Sequence, residues 1–189
     1  MPATNPDAAM DRYAAGDDAA FTDVYDAVAP RLFSYLRRNV AEPTLAEDLL
    51  QKTMLQMHRA RGTFIGGSAV MPWAFAIARR LLIDEIRKDR RNVLANAERD
   101  REDAECGASD LPEAVLEAHD LARRLQAELV RLPETQRVAF ELMRMDGLSH
   151  GEAAEALGVT VSAVKLRAHR AYVALRAVLG ETVVDPTDG

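Results

Sequence analysis

The stretch Gly147–Leu175, GLSHGEAAEALGVTVSAVKLRAHRAYVAL, constrains the fold more than any other part of the chain. It predicts two short helices joined by a tight turn. Ser149 can cap the first helix, because its hydroxyl can accept a backbone N–H that has no partner inside the helix. Glu152, three residues on, completes a capping box. Ala153, Ala154 and Leu157 form an apolar side, and the small alanines allow close helix approach. Gly158 suits the left-handed position that ends a helix, after which Thr160 or Ser162 can cap the second one. This is the pattern of a helix-turn-helix.

The second helix has two chemically distinct sides. At about 100° per residue, Val161, Val164, Ala168, Ala171, Tyr172 and Leu175 share the side that would pack on the first helix. Ser162, Leu166, His169 and Arg170 lie opposite, with Lys165 and Arg167 on the flanks and no acid anywhere along the helix. Such a face suits a DNA major groove, where it would meet phosphates and base edges. It also fits an ordinary amphipathic helix with a solvated basic side. The caps, the glycine turn and the sign of the charge favour the first reading.

Composition supports an all-α fold. Apolar residues make up 48% of the 189-residue chain, aromatics only 5%, and glycine is sparse at 10 residues. The net charge of −6 is unevenly spread. Between Glu98 and Asp120, nine acids oppose only Arg99 and Arg101. Between Arg79 and Arg91 the balance reverses, with Arg79, Arg80, Arg87, Lys88, Arg90 and Arg91 against Asp84, Glu85 and Asp89. Local field, not net charge, decides where phosphates bind.

The single cysteine, Cys106, excludes an intramolecular disulfide and any multi-cysteine zinc site, and its polar acidic surroundings suggest an exposed thiol. No run of about 18 apolar residues offers a membrane span. The first residues lack the basic and apolar segments of a secretory signal, so a cytoplasmic location is expected.

Punctuation divides the chain into a flexible N-terminus (1–15), a helical block (16–91), an acidic flexible linker (92–110), a second helical block (111–180) and a disordered tail (181–189). In the first block, Asp17 or Asp18 caps a helix, Pro30 starts the next segment, and Pro43 with Thr44 opens a helix over Leu45–Arg61. Gly62–Met71 is the clearest loop, with three glycines. Pro72 then opens a helix at Trp73 that ends in the basic run. In the second block a helix is expected from Pro112 to Leu132, and another from Pro133 through Met145.

Four segments, in order, resemble the extracytoplasmic-function (ECF) group of bacterial RNA polymerase sigma factors. They are GDDAAFTDVYDAVAPRLFSYLRR (Gly16–Arg38), AEDLLQKTMLQMHRAR (Ala46–Arg61), MPWAFAIARRLLIDEIRKDRR (Met71–Arg91), and Leu132–Ala171, which includes the helix-turn-helix. The resemblance implies two small helical domains, sigma region 2 and sigma region 4. It implies no catalytic residue, no metal, no cofactor and no small-molecule substrate.

The expected partners are core RNA polymerase (its clamp coiled coil and flap), promoter DNA and an anti-sigma factor. By resemblance, Glu47, Asp48, Leu49, Gln51 and Met54 would meet the polymerase clamp. Arg61, Phe64, Trp73, Arg79, Arg80, Asp84, Arg87 and Lys88 would bind the −10 element as single strand and duplex. By spacing alone, Leu49, Met54 and Trp73 read as core rather than as contacts. Ser162, Lys165, Leu166, Arg167, His169 and Arg170 would read the −35 element. The family often has lysine-serine-arginine where this chain has Lys165-Leu166-Arg167, and an apolar Leu166 could touch a thymine methyl.

Other readings remain at this stage. A helix-turn-helix regulator acting without polymerase would leave the first block unexplained. A sigma mimic that sequesters an anti-sigma factor should lack Lys165, Arg167 and Arg170. An enzyme finds no support in four scattered histidines and no phosphate-cradling loop.

Overall fold

The computed structural model describes residues 5–95 and 124–179. The described residues form helices α1 (Pro6–Ala14), α2 (Ala20–Asn39), α3 (Pro43–Ala60), α4 (Val70–Ala95), α5 (helical over 124–131), α6 (Glu134–Arg144), α7 (His150–Leu157) and α8 (Val161–Leu179). A 3-10 turn, Arg61–Thr63, follows α3. The expected tail, Cys106, and all of the acidic stretch Glu98–Asp120 lie outside the described residues.

Helices α1–α4 form an N-terminal bundle. Ala20, Val24, Val28, Leu32, Tyr35 and Leu36 give α2 a continuous buried face, and Ala46, Leu49, Thr53 and Met57 do the same for α3. Tyr35 meets Phe75 of α4 edge-on at 5.5 Å, a favoured geometry for buried rings.

Two expectations fail here. Pro30 does not start a segment but sits inside α2. Its missing N–H and its ring clash cost a helix interior about 3 kcal/mol. Pro30 itself is exposed, however, and buried residues anchor the helix on both sides of it. Nor is the described part of the N-terminal stretch, residues 5–15, irregular: it carries helix α1. Asn5 caps α1 by accepting the Asp7 N–H, and Ala9, Met10 and Tyr13 are buried against the bundle.

The C-terminal unit is built as the sequence indicates. The Ser149 hydroxyl accepts the Glu152 N–H at 3.2 Å, and the Glu152 carboxylate accepts the Ser149 N–H at 2.8 Å. Gly158 takes φ 63°, a left-handed conformation where a side chain would be strained. The Thr160 hydroxyl, not that of Ser162, caps α8 by accepting the Ala163 N–H at 3.2 Å. Leu129, Phe140, Ala171 and Leu175 form a small core joining α5, α6 and α8.

The two units share one apolar core. Val138, Leu142, Leu148, Ala153, Ala154, Ala156 and Val164 belong to the same buried cluster as the α1–α4 core, and α7 packs on α4. Polar groups clasp the seam. Arg38 pairs with Asp146 at 2.6 Å, and Arg31 donates to the Asp146 carbonyl. Asn39 donates to Glu141 at 3.3 Å, and Gln126 donates to the Arg38 carbonyl at 3.2 Å.

The clasp is incompletely satisfied. Asp146 Oδ2 and Glu141 Oε1 are buried without a hydrogen-bond partner. Burial is the main reason that both carboxyls are pushed above their ordinary pKa, the facing arginines pulling them back only in part. A polar cluster left half-satisfied adds little net stability, and exposing it to water relieves its desolvation.

Candidate nucleic-acid interface

The C-terminal surface follows from the caps. They fix the rotation of α8 so that Val164, Ala168, Ala171 and Leu175 are buried and hold the helix from behind. Ser162, Lys165, Leu166, His169 and Arg170 then stand exposed on the outer side, and Arg167 is half-buried at its flank. All six −35 candidates therefore fall on one helix, five of them fully outward. Leu166 is 50% exposed, an apolar group among bases. Val161, expected on the packing side, is exposed because the turn at Gly158 places the first residue of α8 beyond the cover of α7.

The second surface surrounds the connection from α3 to α4. The Gly62–Met71 loop is shorter than expected: Arg61–Thr63 form a 3-10 turn and α4 begins at Val70, ahead of Pro72. Phe64 and Trp73 meet edge-to-face at 5.2 Å, both half-buried. Trp73 is thus neither simple core nor a free stacking platform. Ile65 at the loop tip is 75% exposed and adds an apolar group to this surface beyond those expected from the sequence. Its place beside the Gly66-Gly67 pair, at the tip of the loop, was the available signal.

Arg61 is held on three sides. Its guanidinium lies over the Tyr13 ring at 5.2 Å from the centroid, stands 2.8 and 3.0 Å from the two ring nitrogens of His58, and pairs with Asp18 at 3.4 Å. Arg80, Asp84, Arg87 and Lys88 are exposed along α4, with Lys88 paired to Glu85 at 3.2 Å. Arg79 departs from this group. It turns into the seam, pairs with Glu134 of α6 at 3.5 Å, and lines a 680 Å³ cleft between the two units with Tyr35, Ile83, Ile86 and Arg137.

On α3 the structure separates the polymerase candidates. Glu47, Asp48 and Gln51 are exposed, whereas Leu49 and Met54 are buried. Leu49 is a core residue, because the 46–49–53–57 spacing faces α2 and α4, and Met54 contributes only the floor of a shallow groove. The exposed aliphatic on this helix is Leu55, which borders that groove with Tyr13, Phe21 and His58. Its place just off the buried stripe was the available signal.

No cluster of three or more potential metal ligands occurs among the described residues, and no described helix is long and apolar enough to cross a membrane. A capped helix-turn-helix with a basic outer face, joined to a bundle that offers aromatic and cationic groups at a loop, defines a DNA-binding transcription factor.

Comparison with known proteins gives the family. Residues 24–92 match the family described as Sigma-70 region 2, and residues 122–175 match Sigma-70, region 4. The chain is 37% identical over 172 residues to RNA polymerase sigma factor CarQ of Myxococcus xanthus, covering 91% of this chain and 96% of that one. It is 33% identical over 161 residues to ECF RNA polymerase sigma factor SigF of Caulobacter vibrioides, covering 85% and 86%.

Among solved structures, the sigma factor RpoE of Bartonella quintana, in complex with the anti-sigma factor NepR, superposes with a TM-score of 0.70 at 25% identity. It covers 86% of this chain and 98% of that one. The fold is also that of CnrH in its complex with the cytosolic domain of CnrY, with a TM-score of 0.69 over 92% of this chain and 96% of that one. The chain belongs to the ECF group of RNA polymerase sigma factors. It is a transcription initiation factor that binds core RNA polymerase and promoter DNA.

Proposed function

We propose that α8 reads the −35 element in the major groove and that the 61–69 loop with the outer side of α4 holds the opened −10 element. Region 2 corresponds to the N-terminal bundle and region 4 to α5–α8. The observation that carries this reading is the outward row Ser162, Lys165, Leu166, His169 and Arg170 on a helix locked from behind. Lys165 and Arg170 would meet phosphates or guanine edges, and Leu166 a thymine methyl. At the loop, Phe64, Trp73 and Ile65 offer apolar surface for an unstacked base, amid Arg61, Arg80, Arg87 and Lys88. Stacking there would offset part of the unpairing cost. Glu47, Asp48, Gln51 and Leu55 form the face of α3 that would meet the polymerase clamp.

The closed arrangement bears on the same reading. Elements at −35 and −10 are about 25 base pairs apart, roughly 85 Å of duplex. A compact chain of this length has a radius of gyration of about 16 Å, or a diameter of about 40 Å. Both surfaces can therefore serve one promoter only after the two units part. The half-satisfied Arg38–Asp146 clasp is where they would separate. The chain acts by binding and positioning, in the cytoplasm where its polymerase is. Because a structural neighbour is held by an anti-sigma factor, an anti-sigma partner is expected here as well.

Run-off transcription from a promoter library tests the reading. Core polymerase with this chain should yield discrete transcripts, and the pair Lys165→Ala and Arg170→Ala should abolish them. Equal transcription by that double variant would overturn the assignment of α8.

A further inference from the structure

Helix α1 precedes the matched part of region 2, which begins at residue 24, yet three of its side chains converge on the 61–70 connection. Asp11 Oδ1 accepts the Gly67 N–H at 3.0 Å. Asp7 Oδ1 accepts the Val70 N–H at 2.8 Å, satisfying an N–H at the first residue of α4 that has no partner within the helix. Tyr13 is buried, lies under the Arg61 guanidinium, and shares a hydrogen bond with His58 Nδ1.

Each contact acts on a part of the loop that cannot hold itself. Gly67 has φ 77°, a conformation that glycine permits but does not enforce. The loop tip around Ile65 has no apolar cover of its own. A carboxylate bound to a backbone N–H is a strong charge-assisted tether.

We propose that α1 is a positioning element for −10 recognition. Asp11 and Asp7 fix the loop in the shape that receives an extruded base, and Tyr13 orients Arg61 toward the strand. Neither aspartate touches DNA. Their effect passes through Gly67 and Val70. The inference rests on the loop binding the −10 strand, and the test separates the two.

The holoenzyme first selects a promoter from a randomised duplex library. That duplex then carries 2-aminopurine in the non-template −10 strand, so that fluorescence reports base extrusion. Asp11→Ala should reduce extrusion by about fivefold, the scale of one lost solvent-exposed hydrogen bond. Core affinity, binding to a −35-only duplex and Tm should stay at wild-type values. Asp11→Asn keeps an acceptor oxygen and should restore extrusion to within about twofold of wild type.

If Asp11→Ala extrudes the base as well as wild type while Phe64→Ala with Ile65→Ala does not, the tether inference is overturned and the loop reading stands. If Asp11→Asn is as impaired as Asp11→Ala, an acceptor oxygen at this position does not hold the loop, which also overturns the inference. If the Phe64 and Ile65 double variant extrudes normally, the loop reading itself fails. Asp7→Ala, which should act in the same direction through Val70, provides a second, independent variant.

Discussion

The outer face of α8 is held from behind by its own buried residues, whereas the 61–69 loop is held from the side by an aspartate 56 positions away in sequence. The difference suits the two tasks proposed for them. Reading an intact groove calls for a stiff helix with a fixed row of donors. Receiving a base out of the stack calls for a concave, partly apolar loop, and loops keep a shape only when other elements impose it. Between the two surfaces runs a seam whose buried carboxyls are only partly satisfied. One chain thus combines a rigid helix face, a tethered loop and a joint whose apolar part is continuous but whose polar part is only partly satisfied.

The largest expected effect lies at the joint. Arg38→Ala leaves Asp146 buried without its charge partner, a loss of about 3 kcal/mol for such pairs. The closed-to-open ratio should fall roughly a hundredfold, as read by distance measurements between region 2 and region 4. Asp146→Asn removes the buried charge together with the ion pair, so it should open the joint far less. Equal opening by both variants would mean that the stranded Asp146 charge is not what drives the joint apart.

The same contrast explains what the sequence disclosed. The helix-turn-helix was legible in detail because Ser149, Glu152, Gly158 and Thr160 act over three or four residues, the range of caps and turns. The N-terminal bundle was legible as helices but not as a site. Asp7 and Asp11 fall in the stretch that the sequence marks as a flexible N-terminus, because nothing local shows that their partners are Val70 and Gly67. Leu49 and Met54 fit a partner face as well as a core face until α2 and α4 supplied the other side. Pro30 misled because a local rule about proline yielded to the packing on either side of it. The seam was invisible, since Asp146 and Glu141 have the composition of ordinary helix-end acids and only burial makes them unusual.

A smaller effect should be confined to region 4. Gly158→Val forces a β-branched residue into φ 63° and should cost that unit about 2 kcal/mol. Region 4 should melt at lower temperature, with −35 binding reduced and polymerase affinity through α3 retained. Loss of both together would show that the two units fold as one and would weaken the contrast drawn between them.

Single phosphate contacts come next. Lys165→Ala and Arg170→Ala should each lower the slope of log affinity against log salt for a −35 duplex by about 1. The same measurement on −10 single strand should not change. An unaltered −35 slope would remove phosphate contact from that residue's role.

The smallest effect is on pH. Glu141 is held above its ordinary 4.5 and Asp146 above its ordinary 3.8, with burial the main cause in each. Arg137, Asn39 and Arg38 oppose the shift at Glu141, and Arg38 and Arg31 oppose it at Asp146. Opening returns both groups to water. Between the ordinary and raised values the closed form therefore binds more protons than the open one. Mild acidification should favour closure, and rising pH through that window should favour opening. A clasp that loosened on mild acidification would contradict this sign.

Energy transfer between labels on region 2 and region 4 tests the central claim most directly. Dyes at the exposed positions Gln56 and Val173, with Cys106 changed to serine, report the separation of the two units. The free chain should show a short separation. With core polymerase and a promoter duplex the separation should grow beyond about 60 Å, approaching the span between the two elements. A short separation that persists while the same complex produces specific run-off transcript would contradict the account.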